Sequence, residues 1–260
     1  MIRIHSRVAC CAIVVVMAGC STAVKKDTAA APEKKEPGPS YFKVDVATAG
    51  VVKGKIHFTG RKPARKAIDM SGDPACVEAH HGKAYEESVA VNPNDTLSDV
   101  FVYVKSGLEG KKFETPGTPV IVDQKGCWFH PHVVGIQTGQ VLSVINSDPV
   151  THNIHPLAQI NREWNHSQGS GDAPLARKFT KPEVMIRVKC NIHSWMRAYI
   201  GVLDHPYFAV TGTEGSFEIP NLPPGDYVIA AWQETLGSQE QKITVTPAGK
   251  IEADFRFKGE

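Results

Sequence analysis

Long helical periodicity is nearly absent from this 260-residue chain, and so is any excess of one charge. The first absence argues against a helical bundle. As for charge, setting aside Arg3 and Arg7 in the first nineteen residues leaves 27 basic against 27 acidic side chains, so no basic field offers itself to a nucleic acid. Cysteine is scarce: there are six, and three of them (Cys10, Cys11, Cys20) fall within the first twenty residues. The chain holds neither a metalloprotease H-E-x-x-H nor a nucleophile elbow, and its Gly/Ser run "SQGSGDAP" lacks the lysine of a phosphate loop and reads as a flexible loop.

The apolar stretch from Ala12 to Ala18, preceded by Arg3 and Arg7, is too short for a permanent membrane helix and reads as an export signal, residues 1–19. It closes on "VMAGC", which resembles the lipobox at which bacterial lipoproteins are cleaved and acylated, with Met17 where leucine is more usual. That resemblance makes Cys20 the lipidation site; an ordinary signal peptide cut nearby is the alternative. Residues 20–40, mostly Ala, Lys, Glu and Pro, bury too little apolar surface to offset chain entropy and form a lipidated linker.

From residue 41 onward the pattern is strand alternation. "VKGKIHFT" sets Val52, Gly54, Ile56 and Phe58 on one face, and "IEADFRFK" does the same with Ile251, Ala253, Phe255 and Phe257. "DVFVYVK" and "DYVIAAW" are apolar on both faces, as central sandwich strands are. With 22 glycines and 18 prolines punctuating short runs, the fold class is all-β with sandwich architecture, in one large domain or two smaller ones. Three cysteines remain in this body, and an oxidising compartment favours pairing two of them. Cys76 follows a turn-like "SGDPA" and Cys127 sits in "KGCWF", whereas Cys190 stands beside a histidine; the expected disulfide is therefore Cys76 with Cys127.

"VKCNIHSWMRA" spaces Cys190, His193 and Met196 three residues apart. In "EVMIRVKC" the alternation puts Val184, Ile186, Val188 and Cys190 on one face, so Cys190 ends a strand pointing into the core. Upstream, "VLSVINSDPVTHNIHP" makes a strand, a turn and a strand in which His152 shares the inward face of Ile154 while His155 faces away. A thiolate, two imidazoles and a thioether form a soft donor set suited to copper, with the thioether as weak axial ligand. Taken singly, each residue has a plainer fate in a core. Cys127, His130 and His132 in "CWFHPH" are better read as a disulfide with surface histidines than as a second metal site. His80, His81, Glu86 and Glu87 read as a solvated loop or short helix.

"VINSDPVTHNIH" and "CNIHSWMR" resemble the corresponding runs of the cupredoxins, amicyanins in particular, over residues 127–204. The resemblance implies one copper per chain. His152 would be the upstream imidazole ligand, Cys190 the thiolate, His193 the exposed imidazole and Met196 the axial sulfur, with Asn153 hydrogen-bonding across to the cysteine loop. Ile192 stands where amicyanin-like loops have proline. A second resemblance, of "VTGTEGSFEIPNLPPGDYVIAAW" to the carboxypeptidase regulatory-like sandwich, leaves that fold's first half a hundred residues upstream. The implied organisation is a regulatory-like sandwich in two parts, residues 41–112 and 206–260, with a Greek-key, cupredoxin-like sandwich, residues 113–205, inserted between them. A tandem arrangement is the alternative.

The function implied is one-electron transfer without catalysis, by a membrane-anchored lipoprotein facing the periplasm or cell exterior. A transient partner, a c-type cytochrome or a periplasmic dehydrogenase, would dock at the His193 edge beside Trp195 and Met196. Copper binding and delivery, a copper enzyme with a second histidine-rich site, and a non-metal carbohydrate- or protein-binding module are the competing classes.

Overall fold

The computed structural model describes residues 40–81 and 83–259. The stretches read as an export signal and a linker, and Cys20 read as the lipidation site, fall in residues 1–39, outside the described residues. The rest is all-β, and the described residues contain one α-helix, Pro74–Ala79.

Two sandwiches account for nearly all the strands. In the first, strand Gly50–Thr59 lies antiparallel to Ser216–Leu222 and parallel to Lys250–Glu252 and Phe255–Lys258. The facing sheet is antiparallel throughout, in the order Phe208–Val210, Phe101–Ser106, Gly225–Gln233, Gly237–Val245. The alternation read in "VKGKIHFT" is what packs here: Val52, Ile56 and Phe58 meet Val102, Val104, Ile229 and Ala231 in one apolar core. Tyr227 closes an end of it, its buried hydroxyl donating to the Pro223 carbonyl at 2.8 Å. Tyr227→Phe is expected to cost about 1 kcal/mol, the net worth of one such bond, read as a lower urea midpoint at unchanged slope.

The second sandwich uses strands between residues 120 and 203. Its five-stranded sheet runs His166–Gln168, His152–Pro156, Glu183–Lys189, Arg197–Leu203, Val133–Gln137, and its four-stranded sheet Leu175–Arg177, Leu142–Asn146, Val120–Lys125, Trp128–His130. Val122, Phe129, Ile136, Leu142, Ile154 and Ile200 fill the space between them. This core has an outside contributor. Within the stretch 41–112, the helix and a two-residue hairpin, Ala67–Ile68 with Ala84–Tyr85, bring Met70, Cys76 and Ala84 into the second core.

The alternation of "EVMIRVKC" breaks in one place. Met185 adopts φ 62° and the register with Arg197–Leu203 shifts between Glu183 and Ile186, so the parity of the strand inverts there. Val184, expected inward, is 41% exposed, while Glu183 is buried with its carboxylate accepting from the backbone N–H groups of Gln159 and Asn161. A bulge of this kind flips every side chain on one side of it. Ile186, Val188 and Cys190, beyond the bulge, stay inward.

The sandwiches meet along Phe101, Val133 and Leu203, with Tyr103, Tyr199, Phe208 and Trp232 packed around them. Gly135 and Gly201 are paired across neighbouring parallel strands. A Cβ on Gly201 would lie 2.5 Å from the Phe101 ring, and one on Gly135 would lie 2.3 Å from the Phe208 ring. The glycines allow the rings to rest on the sheet backbone. "DVFVYVK" is thus apolar on both faces because one face serves its own sandwich and the other serves this seam.

Candidate metal centre

The sequence between Cys190 and Met196 closes on itself: the Cys190 N–H donates to the Met196 carbonyl at 3.1 Å, and the Met196 N–H to the His193 carbonyl at 3.0 Å. This tight loop between strands Glu183–Lys189 and Arg197–Leu203 turns Cys190 and His193 inward, 3% and 4% exposed, and leaves Met196 fully buried. His152, at the start of strand His152–Pro156, is fully buried and faces them. The ligand atoms of His152, Cys190 and His193 lie within 4.8 Å of one another.

The two imidazoles approach through Nδ1, 3.0 Å apart. Their outer nitrogens are held by carboxylates: His152 Nε2 by Asp148 Oδ2 at 2.7 Å, and His193 Nε2 by Asp73 Oδ2 at 3.1 Å. An ionised carboxylate only accepts, so each Nε2 carries the hydrogen and each Nδ1 presents a lone pair. Two lone pairs aimed at each other in a buried space, with a thiol sulfur beside them, call for a positive charge between them. A proton supplies it, and so does a metal cation. An ion about 2.0–2.1 Å from two nitrogens at tetrahedral angles separates them by about 3.3 Å, close to the spacing observed. The donor set therefore fits a soft metal such as copper.

The electrostatics point the same way. Burial opposes ionisation of Cys190, but the His152 imidazole and the backbone N–H groups of His193 and Ile192 aimed at its sulfur, at 3.4 and 3.3 Å, hold the thiol below its ordinary value. Burial likewise opposes a charged His152; hydrogen bonding to Asp148 and the Cys190 sulfur overrides it and lifts the imidazole to about 9. Burial would also raise Asp148, yet His152 and the N–H groups of Cys127 and Gly126 keep it low. The site is thus built to hold positive charge next to a thiolate.

Asn153 sits behind this loop. Its Oδ1 accepts from the Asn191 N–H at 3.1 Å, and its Nδ2 donates to the His166 carbonyl and to the Asn165 side chain. Cys76 and Cys127 form a disulfide, leaving Cys190 as the free thiol among the described residues.

Two expectations need correction. His193 is not the exposed imidazole. Asp73 and Cys76, from the stretch before the second sandwich, cover its outer edge, with the Cys76 sulfur 3.8 Å from Nε2. Trp195 lies against the ring, centroids 5.1 Å apart. His132 is not a surface histidine either: at 8% exposure it donates through Nε2 to Glu234 at 2.6 Å, while His130 is exposed. His80 leans on the Gly126 carbonyl and the Trp128 ring, outside every group of possible metal ligands among the described residues.

Sequence reasoning missed the two carboxylates behind the histidines. Both belong to Asp-Pro pairs, "SGDPA" and "NSDPV", that read as turns, and Asp73 is in fact the helix N-cap. Asp148 stands four residues before His152, a spacing from which a carboxylate–histidine pair could have been drawn. Nothing local marks Asp73.

With this geometry in place, the chain was compared with known proteins. One family model, polysaccharide lyase family 4, domain II, matches residues 189–253, a quarter of the chain, including the Leu-Pro-Pro-Gly turn on which the regulatory-like resemblance was read. None of the curated proteins matches. Among solved structures, an oxidised amicyanin variant is similar at 17% identity and TM-score 0.30, over 39% of this chain and 97% of that one. A purple cupredoxin from Nitrosopumilus maritimus is similar at 18% identity and TM-score 0.28, over 32% and 98%. A copper-containing nitrite reductase from Thermus scotoductus SA-01 is similar at 26% identity and TM-score 0.32, over 39% of this chain and 25% of that one. The chain thus spans about a quarter of the nitrite reductase's length.

Proposed function

We propose that this protein carries single electrons on one copper ion held by His152, Cys190, His193 and Met196. The observation that carries the reading is the approach of two buried Nδ1 atoms, 3.0 Å apart, beside a thiol held below its ordinary value. The two imidazoles, the Cys190 thiolate and the Met196 thioether would hold the ion, which would supply a one-electron couple whose potential the sulfur ligands tune. The chain's own part is to keep the donors in place. Asp148 and Asp73 fix the imidazoles, Asn153 ties the cysteine loop, and the surrounding core keeps water out. Such rigidity suits a centre whose ligands should move little as charge comes and goes.

In this reading the protein binds no substrate and is not an enzyme. It is exported and anchored through lipid on Cys20, facing the periplasm or cell exterior, and exchanges electrons with a c-type cytochrome or a periplasmic dehydrogenase. The test is a visible spectrum of oxidised, copper-loaded protein. An intense sulfur-to-copper band is expected at one copper per chain, and Cys190→Ala should abolish it; a colourless complex would sink the proposal. A delivery protein is the second reading. Burial of both imidazoles favours retention over exchange, so copper lost during repeated oxidation and reduction would favour delivery.

A further inference from the structure

We infer that Asp73 is a positioning residue for the metal centre. Carried on a disulfide-held strap, it fixes the His193 ring through Nε2, turns Nδ1 toward His152, and closes the imidazole edge to solvent. This deepens the function proposed above and rests on it only for the identity of the metal.

The argument starts from how Asp73 divides its two oxygens. Oδ1 accepts from the Ala75 N–H at 3.0 Å, the ordinary work of a helix N-cap. A cap needs no more than this. Oδ2 is then free to take the His193 Nε2–H at 3.1 Å, and the carboxylate is 22% exposed, so it stays within reach of only a little water. Asp148 does the same for His152 from the opposite side, and the two carboxylates together set both Nδ1 atoms facing inward.

The strap itself is fastened at three places. Met70 and Ala84 sink into the core of the second sandwich, and Cys76 is bonded to Cys127. The Cys127 N–H donates to Asp148 Oδ2, the same oxygen that takes His152 Nε2. The Cys127 carbonyl accepts from Trp195 Nε1 at 3.2 Å, and Trp195 in turn packs on His193. A covalent bond thus joins the segment bearing Asp73 to the turn whose N–H groups hold Asp148, the carboxylate behind the other histidine. Carboxylates behind ligand histidines typically change metal affinity by about 10–100-fold when removed.

The test uses Asp73→Asn and Asp73→Ser in the full chain. Both replacements are good N-caps, so the helix is kept. Asparagine, with Oδ1 on Ala75, sets an amide N–H against Nε2–H, and serine falls short of the ring. In metal-free protein, nitrogen–proton correlation spectra should show the His193 Nε2–H proton far downfield and slow to exchange in the parent, and moved upfield with faster exchange in both variants. In competition with a chelator, Cu(II) affinity should fall about 10–100-fold. Each tenfold loss at constant Cu(I) affinity should raise the potential by about 59 mV. An unchanged His193 Nε2–H signal in both variants would overturn the inference, whatever the copper result. Should the parent bind no copper, the function proposed above fails alone, because the Nε2–H signal of the metal-free ring still decides the role of Asp73.

Discussion

Glu234→Ala is expected to lower the unfolding free energy by about 3–5 kcal/mol, the cost of leaving a buried charge partner without its mate. The Glu234 side chain is 6% exposed and stands at the seam between the sandwiches. One carboxylate oxygen takes His132 Nε2 at 2.6 Å, the other takes the Tyr199 hydroxyl at 2.9 Å, and Arg197 Nε lies 3.8 Å away. Alanine would leave the buried His132 imidazole and the Tyr199 hydroxyl without their carboxylate partner.

The same pair gives this loss a pH signature. Burial pulls His132 down, but the hydrogen bond and charge of Glu234 raise it above its ordinary 6.5. A raised imidazole adds stability that is fully present below 6.5 and fades as pH climbs through the folded value. Burial pushes Glu234 up, yet His132 and Tyr199 bring it below its ordinary 4.5. A lowered carboxyl adds stability that is fully present above 4.5 and fades as pH drops through the folded value. The difference between parent and Glu234→Ala should therefore be greatest from about pH 4.5 to 6.5 and shrink on either side. Urea unfolding across pH 4 to 9 measures it, and a difference that does not vary with pH would rule out the charged pair.

Removing the disulfide, as Cys76→Ala with Cys127→Ala, is the second large effect. The bond spans a sequence separation of 51 residues, and closing a loop of that length in the unfolded chain is worth about 4 kcal/mol. For a body of this size the melting temperature should drop by roughly 8–16 °C in scanning calorimetry. A change below about 1 kcal/mol would mean that Met70 and Ala84 already constrain the segment, and that the bond is incidental to stability.

Much of this fold could be read from residue order because its periodicity is local. Val52, Ile56 and Phe58 lie inward where alternation puts them, and Ile186, Val188 and Cys190 do likewise. The Cys-x-x-His-x-x-Met spacing was legible for the same reason: a loop of seven residues brings its own ends together. What escaped the reading depends on distant neighbours or on a single dihedral. Val184 and Glu183 exchange places because Met185 sits at φ 62°, which no alternation rule foresees. His132 looks like a surface residue until Glu234, a hundred positions later, comes to lie against it. His193 looks open to solvent until a segment 120 positions earlier crosses over it. For the two histidines the deciding partner lies far along the chain, in the turn between strands Gly225–Gln233 and Gly237–Val245 or in the strap.

The paired glycines at positions 135 and 201 bear on whether the two halves could ever live apart. Phe101 and Phe208 rest there on bare backbone, and strand Arg197–Leu203, which leaves the cysteine loop, runs directly beneath them. An excised piece of residues 113–205 would keep all four candidate ligands but expose Val133, Leu203 and the flat glycine surface to water. Such a fragment is expected to self-associate in solution.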